Sequence, residues 1–177
     1  MLICRKKKKR FNIVRGVREI DGLIDTLPDD DKCFKFLSFG GFSSASFIGY
    51  IANKIKINKL YVSTFRVGKK EIQFLHYLHN EGLLDYAEFV IFSLAKESDT
   101  HNYYKTLDDI CRKNGWSIKI LKNHSKVLLF ETKKGKYVLE TSSNLNENPK
   151  IEQFSFEKDC ELFDFYKKNI FDYTDSE

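Results

Sequence analysis

The residues best equipped for chemistry are His124 and Lys126, two apart in the run His124-Ser125-Lys126-Val127-Leu128-Leu129-Phe130-Glu131. The apolar residues that follow predict a strand over 126–131. Residues i and i+2 of a strand point to the same face, so an imidazole and an ammonium are aimed at one spot. Neutral imidazole, with an ordinary pKa of roughly 6.5, is a nucleophile that carries no negative charge. Lysine adds a point charge. The pair suits a phosphodiester, which repels anionic nucleophiles and needs positive donors around its non-bridging oxygens. Downstream, Thr141-Ser142-Ser143-Asn144 supplies hydroxyls and an amide for phosphate oxygens. Glu152 is the carboxylate best placed to hold the far ring nitrogen and steady an imidazolium. Read blandly, Ser142 and Asn144 make a polar turn and Glu152 is an acid on an edge strand.

The elements that must position these residues alternate. Val17–Leu27 has helical spacing and Pro28 stops it. Cys33–Phe39 alternates as a strand, Gly40-Gly41 turns, and Ser43 or Ser44 caps a helix to about Ile55. Lys59–Phe65, Tyr86–Leu94 and Ser117–Leu121 read as strands, with helices over Lys69–Asn80 and His101–Asn114 between them. After the strand over 126–131 a turn at Lys133–Lys136 returns Tyr137–Glu140 as a hairpin. A polar loop covers Thr141–Lys150, Ile151–Phe156 is a short strand, and Lys158–Phe171 is a closing helix with Leu162, Phe163, Phe165, Tyr166 and Ile170 turned inward. Strand–helix alternation followed by a hairpin-rich section predicts an α/β fold: a mixed central sheet with helices on both faces.

The 124–152 segment resembles the phospholipase D superfamily. That family's pattern is His-x-Lys, four residues, Asp, then Gly-Ser-x-Asn. His124 and Lys126 match, Glu131 stands where the family has Asp, and Ser142 and Asn144 match with Thr141 in place of Gly. The stretch from Glu131 to Ser142 is longer than usual, which the turn at 133–136 absorbs. Small endonuclease-type members also carry a Glu shortly after the Asn, and Glu152 is similar in position. The run Asn144–Gln153 looks like that of short phage and mobile-element members. More weakly, Gly40-Gly41-Phe42-Ser43-Ser44 before a helix and Leu60–Leu83 look like the family's first strand–helix units. The resemblance covers 33–171 as a fold and 124–152 as a motif.

The resemblance implies a phospholipase D-like sandwich, catalysis by His124 and Lys126 with Asn144 and Glu152, and no metal or cofactor. The family site needs two such motifs, one His attacking and the other protonating the leaving oxygen. A chain with one motif therefore implies a homodimer with the site on the two-fold axis. Ser142, Ser43, Ser44 and Arg66 are candidate substrate contacts.

The bulk properties fit this reading. The 177 residues suit one domain over 13–177 behind a basic arm over 1–12, which is either a solvated terminus or a clamp for phosphates. Hydrophobic residues at 42% and aromatics at 15% are enough for a core. A net charge of +5 permits an anionic partner. The partner expected is nucleic acid, DNA ahead of RNA. The four Cys read as free thiols, with Cys33 in the core and Cys111 on a helix. No leader and no run of about 20 apolar residues is visible, so a cytoplasmic protein with no membrane partner is expected. His76 and His79 share a helix face without a third ligand, and read as surface histidines. The leading function is a nuclease cleaving through a phosphohistidine. The alternative is a catalytically weak or inactive nucleic-acid-binding member from a phage or mobile element. A lipid phosphodiesterase is disfavoured because no interfacial amphipathic helix is visible.

Overall fold

Alternation along the central strands divides their side chains between two cores. In the computed structural model, which describes residues 7–14, 20–92, 102–147 and 149–173, eight strands form one sheet. They are β1 (Lys8–Val14), β2 (Lys32–Phe39), β3 (Ile57–Thr64), β4 (Leu84–Phe92), β5 (Ser117–Leu121), β6 (Val127–Thr132), β7 (Gly135–Thr141) and β8 (Ile151–Lys158). Their spatial order is β1-β2-β8-β7-β6-β3-β4-β5. The helices are α1 (Ile20–Leu23), α2 (Ala45–Lys54), α3 (Lys69–Asn80), α4 (Tyr103–Asn114) and α5 (Cys160–Tyr166), the last continuing into a π turn over Lys167–Phe171.

On one face Leu60, Val62, Leu128, Phe130, Leu139, Phe154 and Phe156 meet α1 to α4. Phe47 of α2 is its hub: its ring packs 5.3 Å from Phe36, 5.7 Å from Phe42, 5.4 Å from Phe154 and 5.6 Å from Phe156. The opposite face is covered more narrowly. Tyr61, Val90, Leu129 and Val138 pack there against Phe163 and Phe171 of the C-terminal helix. The fold class is thus the expected one, a mixed sheet with helices on both faces.

Most expected elements lie where the patterning put them, α3 and β5 with the same ends. Three segments differ. Of the helix expected over 17–27, only Ile20–Leu23 is helical, and 15–19 lie outside the described residues. Residues 93 and 94 of the strand expected over Tyr86–Leu94, and His101 of the following helix, also lie outside them. The segment read as a basic arm contributes Lys8–Asn12 to β1, which pairs in parallel with β2 from Lys8↔Lys32 onward. Its lysines hide a strand from composition, although Lys is what an exposed sheet edge tolerates. Lys7 just before β1 bonds Glu157 at 2.7 Å and Asp159 at 2.5 Å, which fixes the entry to the strand. At the C-terminus Phe163 and Phe171 are buried whereas Phe165, expected inside, is exposed. The wider π turn brings Phe171 back into phase with Phe163, which an unbroken α-helix would not do.

Candidate active site

The pairings fix where the expected residues meet. Strands β2, β7 and β3 run in one direction, and β8 and β6 run against them. The C-terminal ends of β2, β3 and β7 therefore share one end of the sheet with the N-terminal ends of β6 and β8. Ser43 and Ser44 follow β2, Arg66 follows β3, and Ser142 and Asn144 follow β7. His124 and Lys126 precede β6, and Glu152 is at the start of β8. Residues from five stretches of chain arrive at one rim.

His124 and Lys126 lie just ahead of β6, which begins at Val127 and not at 126. They still converge: Lys126 Nζ is 3.4 Å from His124 Nδ1 and donates to the His124 carbonyl at 3.1 Å. His124 is exposed, with its ring 5.2 Å from that of Phe65. Phe65 in turn stacks on Phe92 at 4.8 Å and lies 5.4 Å from the Arg66 guanidinium, which ties Arg66 to the same corner. Burial holds the Lys126 ammonium below the ordinary lysine range, against the opposing pull of the Glu152 charge. An ammonium against Nδ1 favours the imidazole tautomer protonated on Nε2.

A network missed by the sequence reading holds this loop. Asn123 Nδ2 donates to Ser63 Oγ at 2.9 Å and to the Val90 carbonyl at 3.2 Å. Ser125 Oγ meets Ser63 Oγ at 2.5 Å and donates to Asn123 Oδ1 at 2.6 Å. His124 is thus flanked by two residues bonded to β3 and β4. The signal was present, since Asn and Ser favour local bonds of this kind, but their partner Ser63 is distant in sequence.

The 142–147 loop is tied down as firmly. Leu145 N donates to the Arg66 carbonyl at 3.1 Å, and Gly68 N to the Leu145 carbonyl at 2.8 Å. Thr141 turns its hydroxyl into the loop and accepts from Ser143 N at 2.9 Å. Gly40 has φ +95°, and a Cβ there would lie 2.8 Å from the Pro149 carbonyl oxygen, so the two loops touch. Ser142 donates to the buried Glu152 carboxylate and accepts from Gln153 N at 3.0 Å. Asn144 Oδ1 is buried with no hydrogen-bond partner among the described residues, and so is the Ser38 hydroxyl, on the strand position opposite Glu152.

Ser43 and Ser44 are buried in structural bonds. Ser43 Oγ accepts from Ala45 N at 3.1 Å, and Ser44 Oγ donates to the Asn144 carbonyl at 3.3 Å. Glu131 lies at the far end of β6, opposite Lys59 and Lys136. His79 bonds the Leu84 carbonyl at 2.9 Å through Nδ1. Among the described residues no three His, Cys, Asp or Glu are grouped to hold a metal ion, and no helix is long and apolar enough to cross a membrane.

No family model matches the sequence, and no curated protein matches it. Solved structures do. Polyphosphate kinase from Porphyromonas gingivalis aligns with a TM-score of 0.63 at 14% identity, over 85% of this chain and 28% of that one. Phosphatidylserine synthase from Haemophilus influenzae Rd KW20 aligns with a TM-score of 0.52 at 13% identity, over 77% of this chain and 37% of that one. The chain therefore spans about a third of the length of either. Both neighbours have phospholipase D-superfamily folds, and the architecture described above is a sandwich of that type.

Proposed function

We propose that this chain is a phosphodiesterase of the phospholipase D type, acting on nucleic acid as a nuclease with a site shared by two copies. The observation that carries the reading is the His124–Lys126 pair, 3.4 Å apart at the rim where the Arg66, Asn144 and Glu152 segments converge. In this reading a His124 ring nitrogen attacks phosphorus while Lys126 steadies the non-bridging oxygens. The P–N bond forms as the P–O bond to the leaving oxygen breaks. The second copy's His124, as imidazolium, gives that oxygen its proton. Such general acid help contributes about 10²–10⁴-fold. The second imidazole, now neutral, takes a proton from water, whose oxygen opens the phosphohistidine and frees the first His124. Attack through Nε2 requires the proton on Nδ1. The role assigned to Glu152 is to favour that state once a phosphate has drawn Lys126 away, with Asn144 and Ser142 as candidate donors to phosphate oxygens.

The test is incubation of the purified protein with plasmid and single-stranded DNA in EDTA, beside His124→Ala. Cleavage by the wild type and none by His124→Ala, which still binds DNA, is the expected result. Binding without cleavage by the wild type would replace the enzyme with a nucleic-acid-binding relative of the fold.

A further inference from the structure

We infer that the second copy docks on the strip of sheet formed by β1, β2 and β8, on the face opposite α1 to α4. The inference rests on the two-copy reading above and says which surface makes the pair. The C-terminal helix covers only the middle of that face. Beside it the sheet is left open among the described residues, and the open part presents large apolar side chains among a few polar ones. Phe11 is 74% exposed, Leu37 44%, Phe39 55%, Ile151 63%, and Phe165 on the flank of α5 58%. Alternation explains why they share a face. Leu37 and Phe39 lie opposite Gln153 and Ile151 in the ladder, while Phe36 and Phe154 between them point into the first core. Five large apolar side chains exposed on one side of a small domain are a surface that favours being covered.

Three observations make the occupant another copy of this chain. First, the strip is continuous with the candidate site. A groove of about 1030 Å³ runs from Lys9, Phe11 and Lys35 past Leu37 and Gln153 to Lys126. A copy seated there brings its own rim beside His124, and a site with one imidazole is incomplete without a second. Second, the charges are self-complementary. Lys9 and Lys35 lie on the strip, while the exposed side of α5 carries Glu161 beside Phe165; the neighbouring Asp164 is already paired with Lys136 of its own chain at 2.6 Å. A two-fold axis sets each copy's α5 ridge against the other's strip, so the contact is made twice. Third, α5 already forms one wall of a second groove on this face, with Phe165 and Leu162 facing Lys9 and Lys35. A second α5 entering beside it extends a layer that the fold has begun.

The experiment is light scattering after size exclusion, with circular dichroism as the folding control, on the full chain and three variants. Leu37→Asp and Phe11→Asp place a charge on the strip. Tyr77→Asp does so on α3, where Tyr77 is 55% exposed on the opposite side. The expected result is two chains per particle for the wild type and Tyr77→Asp, and one for both strip variants, all with the same helical signal. A single-chain wild type, or strip variants that stay paired, would overturn the docking surface. All four proteins running as single chains while the strip variants lose single-stranded DNA binding would also overturn it and give the face to a ligand. Cleavage separates this inference from the reading beneath it. Paired strip variants that still cut sink the surface and leave the two-copy site standing. Single-chain strip variants that still cut support the surface and sink the two-copy site.

Discussion

His124 is exposed and its ring leans on Phe65, so its removal touches no core. Lys126 has a more particular consequence. Burial disfavours its charged form, and the pKa falls below the ordinary lysine value. Between the folded and unfolded pKa values the unfolded chain binds more protons at this site, so stability rises with pH there. The proposed reaction needs the ammonium, so cleavage falls over the same interval. Activity and stability are thus expected to move in opposite directions as pH rises through it. Rate profiles and urea midpoints of wild type and Lys126→Met between neutral and alkaline pH check this. The variant is expected to lose about 10²–10³-fold in rate and the Lys126 share of the pH-dependent stability. A midpoint difference between the two proteins that shrinks to nothing at neutral pH would contradict it. At this scale the sequence reading saw His124 and Lys126 because they are adjacent. It missed Ser63, Asn123 and Ser125 because the bonds that tie the last two to Ser63 span 60 residues and more.

At the scale of elements, the rim depends on how firmly the strands and helices behind it are held. Phe47 joins β2 and β8 to α2 through four aromatic contacts and has no exposed surface. Phe47→Ala is expected to cost about 3–5 kcal/mol, and denaturant unfolding measures it. A loss under 1 kcal/mol would mean that Phe36, Phe42, Phe154 and Phe156 close the gap by themselves. The patterning located the strands of this core well, since alternating Phe and Leu with glycine turns leaves few readings open. It failed where composition and structure diverge. β1 is a strand built from lysines, legible only when its partner β2 is known. The C-terminal helix loses its phase at the π turn, which no apolar periodicity announces.

At the scale of the molecule, one mixed sheet gathers the ends of five segments that are far apart in sequence. That assembly was readable only through the order of His124, Lys126, Ser142, Asn144 and Glu152, because antiparallel pairing of β6 to β3 and of β8 to β2 joins halves that patterning treats separately. The open strip of β1, β2 and β8 was not readable at all. Alternating Phe and Leu look like core from the sequence, and only the position of α5 shows that one side is left uncovered. The most direct test of the central claim is to mix the protein with single-stranded DNA in EDTA, quench within one turnover at alkaline pH, and map the adduct by mass spectrometry. A phosphoryl-linked peptide containing His124, absent from His124→Ala, is the expected result. Cleavage that persists in His124→Ala, or an adduct on any other residue, would contradict it.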